Sequence, residues 1–235
     1  DRTLTGTSIN TQSTLAGGSL ALTITGAVDI DGAVTGITNL SISGASNIGA
    51  NVTTTGTQTY VGAVTLSGGN RTLTGTTINT QSTLAGGGNA LTITGAADID
   101  GAFGGITNLS VSGTSNIGAN VTTSGTQTYA GAVTLSGGDR TLTGTSINTQ
   151  STLAGGGNAL TITGTADIDG ALSSITNLSI SGASNIGANV TTTGVQTYAG
   201  AVTMSGGDRT LTGVTINTQS TLDGGTSALV ITGAA

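Results

Sequence analysis

Apolar and polar residues alternate in groups of six through much of the chain. From Leu22 onward, most hexads have apolar residues at their first and third places, polar residues between them, and Gly at their fifth place. Alternation with a period of two is typical of a short β-strand with one buried face. We expect the glycine at a corner, because glycine tolerates a positive φ. The pattern therefore predicts short strands joined by tight corners.

The third place of successive hexads shows a longer period. Large apolar residues fill two hexads and a small or polar residue fills the next, as in Ile24, Ile30 and Gly36. This period of 18 residues predicts a roughly triangular coil with three strands per turn. Thr54 and Thr72 are then expected to point inward and to find partners among stacked hydroxyls and backbone groups, because buried polar groups are usually hydrogen-bonded.

The hexads are organised in a 69-residue repeat, marked by the segment Arg-Thr-Leu-Thr-Gly at Arg2 and again at Arg71. The repeats are residues 1–69, 70–138, 139–207 and the partial repeat 208–235. Four turns of 18 would need 72 residues, so we expect four turns per repeat, one of them shortened around Gly86–Gly88. Three longer turns of about 23 residues are the alternative.

The predicted fold is an all-β parallel β-helix that forms one uncapped solenoid segment over residues 1–235. Each coil satisfies its backbone groups through the coils above and below, at a spacing of about 4.8 Å. We expect a right-handed coil, because parallel β crossovers are right-handed as a rule. Strict hexads also occur in left-handed coils, and both ends would expose unpaired strand edges unless another unit follows.

Composition supports a thin core and excludes several classes of protein. Hydrophobic residues make up 35% of the chain but aromatic residues only 2%, so aliphatic side chains must fill the interior. The net charge is −6, with four Arg and no Lys, so we expect no nucleic-acid partner. The chain has no Cys, which excludes disulfides and thiolate metal sites. It also has no apolar run long enough for a transmembrane helix.

The run Thr-Gln-Thr-Tyr-Ala-Gly-Ala-Val-Thr-Leu-Ser-Gly at 126–137, followed by Arg-Thr-Leu-Thr-Gly at 140–144, is similar to the stalk repeats of large bacterial surface proteins. The whole chain resembles the filamentous-haemagglutinin-like adhesins and related β-strand-repeat exoproteins. The resemblance implies a right-handed parallel β-helix, export to the cell surface, and a role as a fibre or adhesive stalk.

The motif Asp-Ile-Asp-Gly contains the main candidate for chemistry. It recurs as the pairs Asp29/Asp31, Asp98/Asp100 and Asp167/Asp169. Two carboxylates on one strand face could act as an acid pair, but the motif is repeated and has no Glu, Lys or His beside it. We therefore expect no enzyme, no catalytic residue, no cofactor and no metal. A weak calcium site from these carboxylates and nearby carbonyls is the open alternative, although position 12 of an EF-hand would be Leu40.

Outward hydroxyl groups provide an alternative function. Thr23 and Thr25 would stack with Ser41 and Ser43 on one face, as a surface for ice or glycan would require. The ladder is interrupted one coil later, where Val61 replaces a hydroxyl residue. This alternative stays open as a repeated adhesive face.

Sequons for N-glycosylation begin at Asn39, Asn51 and Asn70 and recur in later repeats. These asparagines are equally suited to turns or to a stacked Asn ladder. The arginines of the repeat are expected to pair with a nearby Asp, such as Asp139 beside Arg140. Such a surface ion pair adds little stability.

Taken together, these features predict a structural segment of an extracellular bacterial surface fibre or adhesin stalk. Its expected partner is more of the same repeat, joined end to end or laterally, because each solenoid rung matches the next. Contact with a glycan or a host cell surface, without membrane insertion, is the expected secondary interaction.

Overall fold

The computed structural model describes all 235 residues, and every regular element in it is a β-strand. The chain forms two compact units, Asp1–Ser115 and Asn116–Ala235. Within each unit the strands pair in parallel with strands one turn away. Each unit is therefore a parallel β-solenoid, which confirms the predicted all-β class and coil type. The chain has no helix with the length and apolarity needed to cross a membrane.

Twelve strands lie in the first unit, β13 crosses the boundary, and thirteen strands lie in the second unit. In the first unit they are β1 (Arg2–Thr11), β2 (Leu15–Ile30), β3 (Val34–Ile42), β4 (Ser46–Ile48), β5 (Val52–Thr54), β6 (Thr57–Tyr60), β7 (Val64–Leu66), β8 (Arg71–Thr80), β9 (Leu84–Ala85), β10 (Leu91–Ile99), β11 (Phe103–Ile106) and β12 (Leu109–Val111). The boundary strand is β13 (Ser115–Ile117). In the second unit they are β14 (Val121–Thr123), β15 (Thr126–Tyr129), β16 (Val133–Leu135), β17 (Arg140–Thr149), β18 (Leu153–Ile168), β19 (Leu172–Ile180), β20 (Ser184–Ile186), β21 (Val190–Thr192), β22 (Val195–Tyr198), β23 (Val202–Met204), β24 (Arg209–Thr218), β25 (Leu222–Asp223) and β26 (Leu229–Ala234).

Three faces make up each turn of the first unit, as the 18-residue period predicts. Face A stacks residues 2–5, 22–25, 40–42, 58–60, 77–80 and 96–99. Face B stacks residues 8–11, 28–30, 46–48, 64–66, 84–85 and 103–104. Face C stacks residues 15–16, 34–37, 52–54, 71–74, 91–94 and 109–111. The longer strands bend around a corner and contribute to more than one face.

The number of turns per repeat differs from the prediction of four. In the first unit, three turns connect Leu4 to Tyr60 along face A. Leu73 is the equivalent of Leu4 in the next repeat, but it lies thirteen residues after Tyr60 and stacks on Val52 in face C. One repeat therefore makes three and two-thirds turns, and equivalent residues move to a different face in the next repeat.

The reason for this shift is the position of the three residues beyond the eleven hexads. The prediction treated the stretch around Gly86–Gly88 as one shortened turn of a twelve-strand repeat. The structure instead keeps eleven strands and lengthens the step between successive inward residues at three places. The step is seven positions instead of six from Leu66 to Leu73, from Leu73 to Thr80, and from Gly86 to Ile93. Eleven strands are not divisible by the three faces of a turn, so the repeat and the turn are out of phase.

The second unit has the same three-sided arrangement. Face D stacks residues 121–122, 140–143, 160–163, 178–180, 196–198 and 215–218. Face E stacks residues 126–129, 146–149, 165–168, 184–186, 202–204 and 222–223. Face F stacks residues 133–134, 153–154, 172–175, 190–192, 209–212 and 229–232. Leu142 lies in face D and its equivalent Leu211 in face F, so the shift between repeats occurs here too.

The core of each unit consists of stacked aliphatic side chains from the inner positions of all three faces. Ile42, Ile48 and Val52, from three consecutive strands, are completely buried. Fully burying such a side chain stabilises the fold by about 1.5–3 kcal/mol relative to exposure. Because each turn repeats this burial on the turn below, the aliphatic columns hold the solenoid together without a large aromatic core.

Two inward threonines were predicted, and one of them is correct. Thr54 is buried, and its Oγ1 donates to the carbonyl oxygen of Gly56 at 2.9 Å. Thr72 was wrongly placed, because the seven-residue spacing turns Leu73 inward in its stead. Thr80 takes the next inward position, with 1% of its surface exposed.

The expected corner glycines are confirmed where face A bends toward face B. Gly26 has φ +123°, a conformation that side chains rarely adopt, and a Cβ at this position would collide with the carbonyl oxygen of Gly6 in the turn below. A Cβ on Gly44 would likewise meet the backbone of Gly26. Glycines stack on glycines at this corner because successive turns approach too closely for a side chain.

Candidate functional site

The first aspartate of each Asp-Ile-Asp motif lies in a ladder of side-chain amides. Asp29 is half-buried on face B, between Asn10 in the turn below and Asn47 in the turn above. Asn10 donates its Nδ2 to Oδ2 of Asp29 at 3.2 Å, and Asn47 donates its Nδ2 to Oδ1 at 2.7 Å. Both carboxylate oxygens are therefore engaged in bonds that join three successive turns.

Later repeats contain the same ladder on other faces. Asn79 donates to Asp98 at 2.8 Å on face A, and Asn185 donates to Asp167 at 2.8 Å on face E. The first aspartate thus joins neighbouring turns wherever the motif occurs. A charge-assisted hydrogen bond to a carboxylate is stronger than a neutral one, so each ladder stabilises the local register.

The second aspartate of the motif lies beyond the end of its strand and is exposed, as at Asp31 and Asp100. Desolvation, with the nearby Asp98 carboxylate as a smaller cause, raises the pKa of Asp100. The two aspartates do not converge with a third acidic group, and the chain has no cluster of three or more His, Cys, Asp or Glu residues suited to a metal ion. The arrangement offers hydrogen-bond acceptors along the surface rather than a coordination sphere.

The asparagines of the predicted sequons lie at corners and bond to the backbone of the next turn. Oδ1 of Asn39 accepts from the N–H of Thr57 at 2.8 Å, and Oδ1 of Asn51 accepts from the N–H of Thr72 at 3.0 Å. Asn70 accepts in the same way from Ala90 at 2.9 Å. The turn-residue interpretation of these asparagines thus has direct support, while glycosylation stays a prediction.

The expected pairing of arginine with a neighbouring aspartate is wrong at Arg140. Its guanidinium group donates from Nε and Nη2 to the carbonyl oxygen of Ser136, at 2.9 and 2.6 Å, and from Nη1 to the carbonyl oxygen of Asp139 at 3.0 Å. The Asp139 carboxylate instead accepts from the N–H of Ala159 at 2.8 Å. Arginine thus closes the glycine-containing corner before its strand, and the aspartate performs the same capping role as Asn70.

The hydroxyl residues singled out from the sequence lie on face A in the predicted order. Thr23 pairs with Ser41, and Ser41 pairs with Thr59 one turn above. The hydroxyl of Ser43 accepts a hydrogen bond from the N–H of Gly26 at 3.2 Å. Val61 follows in that outward column, with 44% of its surface exposed, so the hydroxyl ladder ends there as expected.

A buried Gln–Tyr pair is the main polar feature that the sequence pattern did not reveal. Gln58 and Tyr60 occupy adjacent inward positions of face A, and neither has any exposed surface. Corresponding pairs occur at Gln127 and Tyr129 and at Gln196 and Tyr198. The available signal was Gln at the first place of a hexad, where an apolar residue is expected.

A cavity of about 380 Å³ lies beside β1 and the first half of β2. Its lining includes Leu4, Leu15, Leu20 and Leu22, and Arg2 is its one ionisable residue. The one hydroxyl residue in its lining is Thr3. None of the aspartates discussed above lines it.

Comparison with known proteins gives no further assignment, since no protein-family profile, curated protein or solved structure matches the chain.

Proposed function

We propose that this chain is a structural segment of an extracellular bacterial surface fibre or adhesin stalk, built from tandem 69-residue repeats that wind as a right-handed coil. The observation that carries the proposal is that each distinctive feature recurs with the repeat. The buried Gln58–Tyr60 pair has equivalents in the next two repeats, and so does the Asp29 ladder. A catalytic site needs a singular arrangement, whereas a stalk needs a uniform one.

The polar chemistry of the chain also supports a structural role. Asp29, Asn39 and Arg140 all direct their polar groups to neighbouring turns or to their own backbone. Asp29 belongs to the motif that was the main candidate for chemistry, and its carboxylate joins neighbouring turns, while Arg140 closes its own corner. We therefore propose that the chain is not an enzyme, and that its partners are like repeats, with a glycan or a host surface as a further contact.

Cryo-electron microscopy of the native assembly tests this function. We expect a β-rod with a strand spacing of about 4.8 Å and a repeat that advances about 18 Å, since three and two-thirds turns make one repeat. The density would also establish the hand of the coil. Isolated compact particles with one groove unlike the others would contradict the proposal.

A repeated adhesive module for ice or glycan is the second candidate, and the outward hydroxyl columns favour it. On face C, Thr53, Thr74 and Thr94 stack on three successive turns. A periodic row of hydroxyls is suited to a hydroxylated or icy surface. Co-sedimentation of the purified protein with ice or with crystalline polysaccharide would identify this function, and absence of binding to either would eliminate it.

A further inference from the structure

Two kinds of asparagine occur in the chain, and they differ in exposure. Seven asparagines begin the sequence Asn-X-Ser/Thr, the acceptor pattern for N-glycosylation, and nine do not. We call the seven the sequon asparagines: Asn39, Asn51, Asn70, Asn108, Asn120, Asn177 and Asn189. Every one of them is exposed, whereas among the other nine only Asn10 and Asn217 are exposed.

The sequon asparagines use the oxygen of the side-chain amide to bond the next turn. Oδ1 of Asn70 accepts from the N–H of Ala90 at 2.9 Å, and Oδ1 of Asn120 accepts from the N–H of Thr141 at 2.9 Å. Because only the amide oxygen can accept from an N–H group, these bonds fix the orientation of the amide. They leave out Nδ2, the atom to which a sugar is attached. The same bond is made by Asn39, Asn51, Asn177 and Asn189.

Asparagines outside the sequons use the nitrogen instead. Asn47 and Asn79 donate from Nδ2 to aspartate carboxylates, and Asn89 donates from Nδ2 to the carbonyl oxygen of Gly86 at 3.0 Å. A sugar on Nδ2 would replace one of its two hydrogens and would press against these partners. Nδ2 is also the donor in Asn10, Asn158 and Asn185. The sequence motif and the hydrogen-bond geometry therefore select the same set of residues.

The fold needs only an oxygen atom at the corner occupied by Asn70. The equivalent residues one and two repeats later are Asp139 and Asp208, whose Oδ1 atoms accept from the N–H groups of Ala159 and Ala228, both at 2.8 Å. A carboxylate thus caps this corner as an amide does. Capping accounts for the oxygen of Asn70 and does not account for its nitrogen.

The edge of face C has room for separate sugars. Asn70, Ala90 and Asn108 lie one above the other on successive turns, so the two sequon asparagines are about 9.6 Å apart. The alanine between them contributes only a methyl group to the edge. The hydroxyl residues that complete the two sequons, Thr72 and Ser110, lie on the outer side of the following strands.

We propose that the sequon asparagines are sites of N-glycosylation. A separate transferase joins Nδ2 to the anomeric carbon of a sugar activated as a glycosyl diphosphate. The bond between nitrogen and the anomeric carbon forms, the bond from that carbon to the diphosphate oxygen breaks, and a base of the transferase takes one proton from Nδ2. The product keeps the amide oxygen, so the bond to the next turn is retained. This inference rests on the proposed extracellular function, because sequons are modified in exported proteins.

Glycopeptide mass spectrometry of the protein recovered from its native cell surface tests the proposal. We expect mass increases equal to whole sugar residues on peptides that contain the sequon asparagines, with fragmentation assigning the sugar to asparagine. Peptides that contain Asp139 should carry no sugar at that residue, since a carboxylate has no nitrogen to link. Asn70→Asp should lose the sugar at its site and stay folded, because Asp139 caps the same corner.

Thr72→Val and Thr72→Ser are the matched pair for this site. Both leave Asn70 and its cap unchanged, but only Thr72→Val removes the sequon, so it should lose the sugar that Thr72→Ser retains. Far-UV circular dichroism establishes folding. If Thr72→Val disturbs it, Thr53→Val and Thr53→Ser give the same comparison for Asn51 at an exposed position.

Three outcomes would overturn the proposal: no added mass at any of the seven sites, sugar on Asn47 or Asn79 to the same extent as on Asn70, or sugar on Asn70 that persists in Thr72→Val. Sugar found only on Ser or Thr counts as the first of these. Failure of the inference is separable from failure of the function, because fibres of unmodified protein would retain the function and exclude glycosylation. Modified protein in isolated compact particles would do the reverse.

Discussion

The hydroxyl of Tyr60 donates a hydrogen bond of 2.8 Å to Oε1 of Gln58 in the dry interior of the first unit. The Nε2 group of Gln58 donates in turn to the carbonyl oxygens of Val52 at 3.1 Å and Thr74 at 2.8 Å. Those two carbonyls lie on successive turns of face C, where the lengthened spacing interrupts the six-residue rhythm. The pair thus joins face A to face C through the core.

Replacing Gln58 with leucine is expected to destabilise the first unit strongly. The substitution introduces an apolar side chain of similar size and leaves the Tyr60 hydroxyl and the carbonyls of Val52 and Thr74 without this partner. Each buried polar group left unsatisfied costs about 1–3 kcal/mol. The Thr74 carbonyl keeps the Thr54 hydroxyl as a donor at 3.4 Å, so we expect a loss of about 2–4 kcal/mol. Urea unfolding followed by circular dichroism measures it.

Tyr60→Phe is the matched control for this experiment. It removes a single hydrogen bond and leaves both Nε2 bonds of Gln58 in place. Its expected cost is about 1–2 kcal/mol, smaller than that of Gln58→Leu. A Gln58→Leu chain as stable as the unmodified one would show that the buried network does not hold the turns together.

Asp29→Ala is expected to lower stability more than Asp31→Ala. Asp29 accepts from Asn10 and Asn47 and so joins three turns, whereas Asp31 is an exposed residue beyond the end of β2. We expect a loss of about 1–2 kcal/mol for Asp29→Ala and less than about 0.5 kcal/mol for Asp31→Ala. Thermal unfolding of both variants at one pH compares them. Equal losses would mean that the ladder contributes nothing beyond an ordinary surface position.

Ser46→Ala is expected to stabilise the first unit. Ser46 is 2% exposed on the inner side of face B, and its hydroxyl has no hydrogen-bond partner. Removing a buried, unsatisfied hydroxyl should raise the free energy of unfolding by about 1 kcal/mol. Thr54→Val is the contrasting variant, because the Thr54 hydroxyl donates to Gly56, so this change should destabilise the unit. Urea midpoints that shift in the same direction for both variants would contradict this account.

Gly26→Ala is expected to disrupt the corner between faces A and B. The residue has φ +123°, and a methyl group there would collide with the Gly6 carbonyl oxygen. The backbone strain alone corresponds to about 1–3 kcal/mol, before the collision is counted. Gly104→Ala is the matched control, because a Cβ at Gly104 has no atom within 4 Å. Thermal unfolding should show a large loss for Gly26→Ala and almost none for Gly104→Ala, and similar values would refute the close-corner explanation.

The sequence was sufficient to predict the fold class because the inward residues follow strict periods. Ile24, Ile30, Ile42 and Ile48 all point into the core as the hexads require. The number of turns per repeat was predicted incorrectly, since a period of six does not reveal where an extra residue is absorbed. The structure decides between the two arrangements, because Leu73 stacks on Val52. This register requires eleven strands with some lengthened spacings, and it excludes twelve strands with one shortened turn.

The polar sites were harder to predict, because their partners lie one turn away along the axis. Asp29 and Asp31 are close in sequence and suggest a pair, but the atoms that bind Asp29 belong to Asn10 and Asn47, 19 and 18 residues away. Arg140 likewise binds carbonyl oxygens that no side-chain pattern displays. Residue type alone therefore suggested a carboxylate pair, whereas the hydrogen-bond partners of these groups become visible only when the turns are stacked.

Alkaline titration should reveal the burial of all three tyrosines in the chain. Burial raises the pKa of Tyr60, Tyr129 and Tyr198 far above the ordinary value of 10.0. The unfolded chain therefore releases these protons near pH 10 while the folded chain retains them, so this contribution to stability is fully present below pH 10 and is lost as the pH rises further.

We expect phenolate absorbance in the near ultraviolet to appear together with loss of the β-sheet circular dichroism signal, in one steep transition above about pH 10. Tyr60→Phe should reduce the absorbance change by a third, since one of three tyrosines is removed. Phenolate that appears gradually around pH 10 while the circular dichroism signal persists would show that the tyrosines reach solvent in the folded chain. Such a result would also remove the basis for the Gln58–Tyr60 network, because a hydroxyl that ionises freely cannot be held in a dry interior.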